Sequence, residues 1–177
     1  MDTWTKQDGY PVISVSLGDK PETFVVSQER FLSSGPDASD KSHWLVPVGA
    51  YINVCVCVCV CVCMNVRVRV LLFTHILRNL GIASEGASAP TFQLFKEKTS
   101  HITVSGYKGG WIKVNPGQTG FYRVKYSPEL LERVIAALHS GALAATDRLG
   151  VQGDAFALAS SGQLQTTQVL PLLDAYK

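Results

Sequence analysis

The chain has 177 residues, of which 46% are hydrophobic and 17% charged. That is a globular composition, long enough for one ordinary domain or two small ones with a sizeable core. A formal net charge of +2 gives no electrostatic ground for binding nucleic acid or an anionic membrane surface.

The opening "MDTWTKQDGYPV" has no basic stretch followed by an apolar run, so no secretory signal is read and a cytoplasmic address is expected. Three strands are predicted next: "YPVISVS" (10–16), "ETFVVSQERF" (22–31) and "HWLVPV" (43–48). The clusters "LGDKP" and "SSGPDASDKS" between them are turn-forming.

Residues 54–63 then read "VCVCVCVCVC", holding every cysteine of the chain: Cys55, Cys57, Cys59, Cys61 and Cys63. Alternation with valine favours an extended strand with all five thiols on one face, roughly 6.6 Å apart and spanning about 27 Å. Two thiolates on one zinc ion lie only about 4 Å apart, so a straight ladder does not converge on a metal. Disulfides between cysteines two apart fail for the same reason. The apolar run ends at Met64, before Asn65, Arg67 and Arg69, short of the roughly 20 residues of a membrane-spanning helix.

The genetic code supplies a simpler origin. A GT dinucleotide repeat translates as Val-Cys-Val-Cys, and a decayed copy, GTG CGT GTG CGT GTG, gives the "VRVRV" of Val66–Val70. The tract is therefore expected to be translated non-coding sequence, such as a retained intron. As polypeptide it is β-prone and uncharged, an aggregation hazard.

Beyond it, "FQLF" (92–95), "HITV" (101–104), "GWIKV" (110–114) and "TGFYRVKY" (119–126) are further strands. Their number and spacing predict an antiparallel β-sandwich. In the last of them Phe121, Arg123 and Lys125 share one side, and Tyr122, Val124 and Tyr126 the other. Aromatic–basic stacking on nucleic acid would need a second such strand, and none is found. Helices follow. "SPELLERVIAAL" has Ser127 as N-cap, Pro128 at the first helical position and an apolar face of Leu130, Leu131, Val134, Ile135 and Leu138. Gly141 should stop it. A second helix should begin near Thr146 or Asp147 and carry Leu149, Phe156 and Leu158. A third should start near Thr166, bent or interrupted at Pro171. The order is α+β, strands first.

Catalytic patterns are missing. The sequence has no H-E-x-x-H, phosphate loop, G-x-G-x-x-G, G-x-S-x-G or C-x-x-C, and His43, His75, His101 and His139 are far apart. The glycines at 109–110, 117 and 120 read as turns between strands. No residue is assigned as catalytic, cofactor-binding or metal-ligating.

"MDTWTKQDGYPV" (1–12), "GWIKVNPGQTGFYRVKYS" (110–127) and "DRLGVQGDAFALASSGQL" (147–164) together resemble zinc aminopeptidases of the gluzincin class, the puromycin-sensitive type and its plant relatives. Asp8 and Gly153 depart from that family's usual methionine and asparagine. The resemblance implies three parts. Residues 1–9 would be the tail of a missing catalytic domain. Residues 10–126 would be its β-sandwich, interrupted by a non-family insert at 49–91. Residues 127–177 would open a truncated α-helical domain. It also implies a zinc cofactor and peptide substrates for the full-length family, whose zinc ligands and G-x-M-E-N motif have no counterpart in this sequence. On that reading the chain is inactive alone and contains no cofactor of its own. Two other readings are a stand-alone β-sandwich interaction module and a non-productive translation product. The genomic segment encoding 54–70 is expected to be a GT repeat flanked by splice signals, and sequencing that finds varied valine and cysteine codons would refute this origin.

Overall fold

The computed structural model describes residues 2–50, 82–84, 91–104 and 107–176. The cysteine ladder and His75 lie outside the described residues. Strands β1 (Pro11–Leu17) and β2 (Thr23–Arg30) form an antiparallel hairpin. Its turn is closed by Gly18 N–H on Thr23 O (2.9 Å) and by the Thr23 hydroxyl on Lys20 O (2.6 Å). A Cβ at Gly18 would stand 2.6 Å from Thr23 Oγ1, so the turn needs a residue without a side chain there.

Strand β3 (Val46–Ala50) pairs with β5 (Thr91–Phe95), and β4 (Ile82–Ser84) with β7 (Ile112–Val114), both antiparallel. Strand β6 (Thr99–Thr103) extends the hairpin beyond β2, and β8 (Arg123–Tyr126) extends it beyond β1. The result is a four-stranded sheet in the order β6-β2-β1-β8 and two two-stranded sheets. Gly49, Ala50, Ile82–Ser84 and Thr91, within the expected insert 49–91, are thus strand residues.

One expectation is corrected. The four-stranded sheet is mixed, because β8 runs parallel to β1, with Ile13 beside Val124 and Val15 beside Tyr126. Alternation tells which side chains face inward, but strand direction follows from the path of the chain between strands. Here the whole stretch from β2 to β7 forms the crossover that a parallel pair requires.

Alternation does place the core. Ile13, Val15, Phe24, Val26, Ile102, Val124 and Tyr126 are buried together with Trp44, Val46, Phe95, Ile112 and Val114. Gln28 shares the inward face of β2. Its carboxamide donates to Trp44 O (3.0 Å) and Glu97 O (2.8 Å) and accepts from Trp44 N–H (2.8 Å), so a buried polar group is fully satisfied. The short helix α1 (Asp2–Thr5) is fastened alongside by Trp4 Nε1–H on Leu45 O (2.9 Å) and by Gln7, which donates to His43 O (2.9 Å).

Helix α2 (Pro128–His139) begins after Ser127 as predicted, although the Ser127 side chain makes no capping bond. Leu130, Leu131, Val134 and Leu138 are buried on the sheet, with Ile135 packed at the margin. The helix ends where Gly141, at φ 69°, turns left-handed. Helix α3 (Ala145–Ser160) buries Val151, Ala155 and Leu158 but leaves Leu149 and Phe156 exposed. Helix α4 (Thr166–Asp174) runs through Pro171 uninterrupted, with Gln168 Oε1 accepting from Gln165 N–H at its start (3.3 Å). Pro171 sits on the exposed side, between buried Val169 and Leu172.

Phe24 is fully buried, with its ring edge-to-face against Tyr107 at 4.8 Å. Phe24→Ala is expected to lower unfolding free energy by roughly 3–5 kcal/mol, the usual cost of emptying an aromatic core site. Phe121, 72% exposed, is expected to lose less than about 1 kcal/mol on the same substitution. Urea unfolding of the two variants checks the contrast.

Candidate functional site

The charged and polar groups that the fold takes out of water gather where α3 meets β7, β8 and the loop between them. Lys113 lies between Ile112 and Val114 on β7, and its side chain is 1% exposed. Its ammonium donates to Val114 O (2.6 Å) and Asn115 O (3.1 Å) and stands 3.7 Å from Asp147 Oδ1. Asp147, in the first turn of α3, also accepts from Gly117 N–H (2.7 Å). Burial pushes the Lys113 pKa down, and Asp147 and Asp154 oppose that shift.

The loop itself is folded by Asn115, which is fully buried. Its backbone is left-handed at φ 58°, and its carboxamide grips Gly120 from both sides: Nδ2–H on Gly120 O at 3.0 Å, and Gly120 N–H on Oδ1 at 2.8 Å. Asparagine is among the few side chains that tolerate this backbone and supply both hydrogen bonds. Helix α3 passes so near that a Cβ on Gly150 would fall 1.7 Å from Gln118 Nε2.

Asp154, two turns along the same helix, reaches the edge of the four-stranded sheet. Oδ2 accepts from Val124 N–H (3.1 Å) and Oδ1 from Arg123 Nη1 (3.2 Å). Arg123 Nε–H donates to the Tyr10 hydroxyl (3.1 Å), and the guanidinium lies 5.7 Å from the Tyr10 ring centre and 5.3 Å from that of Phe31. Burial pushes the Asp154 carboxyl up to about 6, against the pull of Val124 N–H, Lys113 and Arg123. Tyr126 completes the cluster by accepting from Val114 N–H (2.9 Å), and burial pushes its phenol far up.

Chemically, this arrangement fastens α3 to β8 and to the loop after β7. Each carboxylate is spent on backbone N–H groups and cations of the same chain. The space beside Asp154 amounts to about 10 Å³, at the lower limit for one water molecule. His43, His101 and His139 are exposed at separate places on the surface. Among the described residues no three His, Cys, Asp or Glu side chains gather as metal ligands would. Sequence reasoning passed over Lys113, Asn115, Asp147 and Asp154. Two signals were available: a lysine inside the apolar run "WIKV", and two acids seven residues apart, which share one helix face.

The raised Asp154 pKa sets a sign. The folded state binds the proton more tightly than the unfolded chain, so this group's contribution to stability is largest below about pH 4 and is lost as pH rises toward 6. The full span is about 3 kcal/mol. Asp154→Asn retains an acceptor for Val124 N–H and cannot ionise. In urea unfolding it should therefore gain on the parent chain as pH rises from 4 to 7. Asp154→Ala should instead lose about 1–3 kcal/mol throughout, because a buried N–H is left unpaired. A gap between Asn variant and parent that stays constant with pH would refute the assignment.

Residues 111–177, which hold this whole junction except Tyr10 and Phe31, match the ERAP1-like C-terminal domain family. Across 100% of its length the chain is 33% identical to Aminopeptidase M1-A of Oryza sativa subsp. japonica and 32% identical to Aminopeptidase M1 of Arabidopsis thaliana. It is 29% identical, over 95% of its length, to the Puromycin-sensitive aminopeptidase of Caenorhabditis elegans. The chain spans 17%, 18% and 15% of these three relatives. The chain is thus similar, over its whole length, to a segment of these M1 and puromycin-sensitive aminopeptidases.

Proposed function

We propose that this chain supplies non-catalytic walls of a zinc-dependent aminopeptidase that removes N-terminal residues from peptides, and that alone it hydrolyses none. The observation that carries this reading is the pairing of whole-length similarity to such enzymes with a charge cluster wholly committed to holding helices on strands. The described residues offer zinc no ligand set, and the sequence lacks H-E-x-x-H. A zinc ion acts in hydrolysis by lowering the pKa of its bound water, which requires fixed ligands and an open position.

On this reading the three sheets form the β-sandwich of the family, and α2 to α4 open its helical domain. Residues 1–9 come from the end of the catalytic domain, and 49–91 form an insert. The setting is cytoplasmic; no helix among the described residues is long and apolar enough to cross a membrane. The chain's share in the enzyme is mechanical: a sandwich and helices held rigidly to one another limit how a peptide approaches a catalytic centre on another domain.

The purified chain is expected to hold less than 0.1 equivalent of zinc, on the order of background, and to show no chelator-sensitive turnover of an aminoacyl arylamide. Stoichiometric zinc with turnover abolished by chelator would overturn the reading.

A further inference from the structure

The two edges of the four-stranded sheet are β8 and β6. The β8 edge is covered, since Asp154 of α3 accepts from Val124 N–H. At the β6 edge two bonds show which way the backbone groups point. Val104 N–H donates to Glu22 O (2.8 Å), and Gln28 N–H to Lys98 O (2.9 Å). Both belong to the antiparallel register of β2 with β6, so the even-numbered residues of β6 turn their N–H and C=O toward β2. The N–H and C=O groups of Thr99, His101 and Thr103 therefore point out of the sheet. Among the described residues no backbone group or side chain hydrogen-bonds to them.

Edges that stay unpaired are usually blunted by lysine, inward charge, proline or a bulge. Strand β6 has none of these: Thr99–Thr103 reads TSHIT, and its pairs with β2 run in unbroken register. The outward groups also have a symmetry. Thr99, His101 and Thr103 carry exposed side chains, and the order threonine, histidine, threonine is the same in either direction. A second β6 laid antiparallel and centred on His101 sets Thr99 opposite Thr103, and His101 opposite its own counterpart. Each outward N–H then meets an outward C=O, two hydrogen bonds in every pair, and no group is left over. Cross-strand threonine pairs add to such a contact.

We propose that β6 is a self-association edge: two copies of this chain join antiparallel through Thr99–Thr103, with His101 on the two-fold axis, and their four-stranded sheets become one continuous sheet. The occupant is a second copy because the palindromic edge satisfies both partners at once, as a two-fold contact requires. A contact of one short strand on another falls in the weak, transient class of interfaces. It uses no residue of the charge junction and does not depend on the zinc reading, so either stands if the other fails.

The test is sedimentation velocity of the full chain, with a thiol reductant present to prevent disulfide-linked association, together with amide hydrogen exchange across the same concentrations. A monomer–dimer equilibrium with a Kd on the order of 0.1 mM is expected. By mass action, exchange at the Thr99, His101 and Thr103 amides should slow about fivefold when the chain is at roughly ten times that Kd. His101→Lys and His101→Glu, at an exposed position that leaves the fold intact, each set like charges face to face across the axis. Either variant alone should dimerise about fivefold more weakly, and the two mixed should pair at least as tightly as the parent chain. Four results would each overturn the proposal: a monomer at every concentration up to about 1 mM, exchange at the three amides that ignores concentration, a dimer equally tight in the parent and both variants, or a lysine–glutamate mixture no tighter than either variant alone.

Discussion

The edge of a β-sheet presents N–H groups that must find acceptors, and in this protein one of them finds a carboxylate on a helix. Val124 N–H faces away from β1, and Asp154 reaches across from α3 to meet it. That bond decides where α3 lies along β8. With Asp147 on Gly117 N–H it fixes the helix at two points, two turns apart, over a strand and over a loop. The remaining helices follow: α2 leaves directly from β8 at Ser127, and α4 packs behind α3. Edge protection and the docking of a helix on a strand, usually separate problems, are solved here by one side chain, Asp154.

Charge at such a junction favours definition over stability. Burying Lys113 beside Asp147, and Asp154 beside Arg123, gives back in desolvation much of what attraction provides. What ionic groups add is intolerance of misplacement. A helix shifted by one residue would leave a buried carboxylate without N–H partners and a buried ammonium without an anion. An apolar seam would tolerate such a slide far more cheaply. The desolvation cost is thus exchanged for a single allowed seating of the helix.

Much of this was legible in the sequence. The alternation in "TGFYRVKY" separated buried Tyr122, Val124 and Tyr126 from the outward-facing side. The apolar face of "SPELLERVIAAL" was assigned correctly, and Gly141 stopped the helix. These features are local, set by period and by backbone preference. The parallel seating of β8 on β1 was not legible, because direction depends on partners more than a hundred residues apart. Lys113, Asp147 and Asp154 escaped notice for a similar reason: a charged residue reads as a surface residue until its partner, distant in sequence, is in place. Leu149 and Phe156 show the converse, since helical period names an apolar face but not whether anything covers it.

The pairing of β3 with β5 joins Ala50 to Thr91 across the sheet. Two residues far apart in sequence are thus held side by side by strands in register, and the chain between them must return to this point. Closure entropy grows only with the logarithm of loop length, about 0.6 kcal/mol for each doubling. A change in the number of residues between Ala50 and Thr91 would therefore alter the closure cost of this one pairing only slightly. Between two strands that hold each other, such a change is among the least damaging to the thermodynamics of folding.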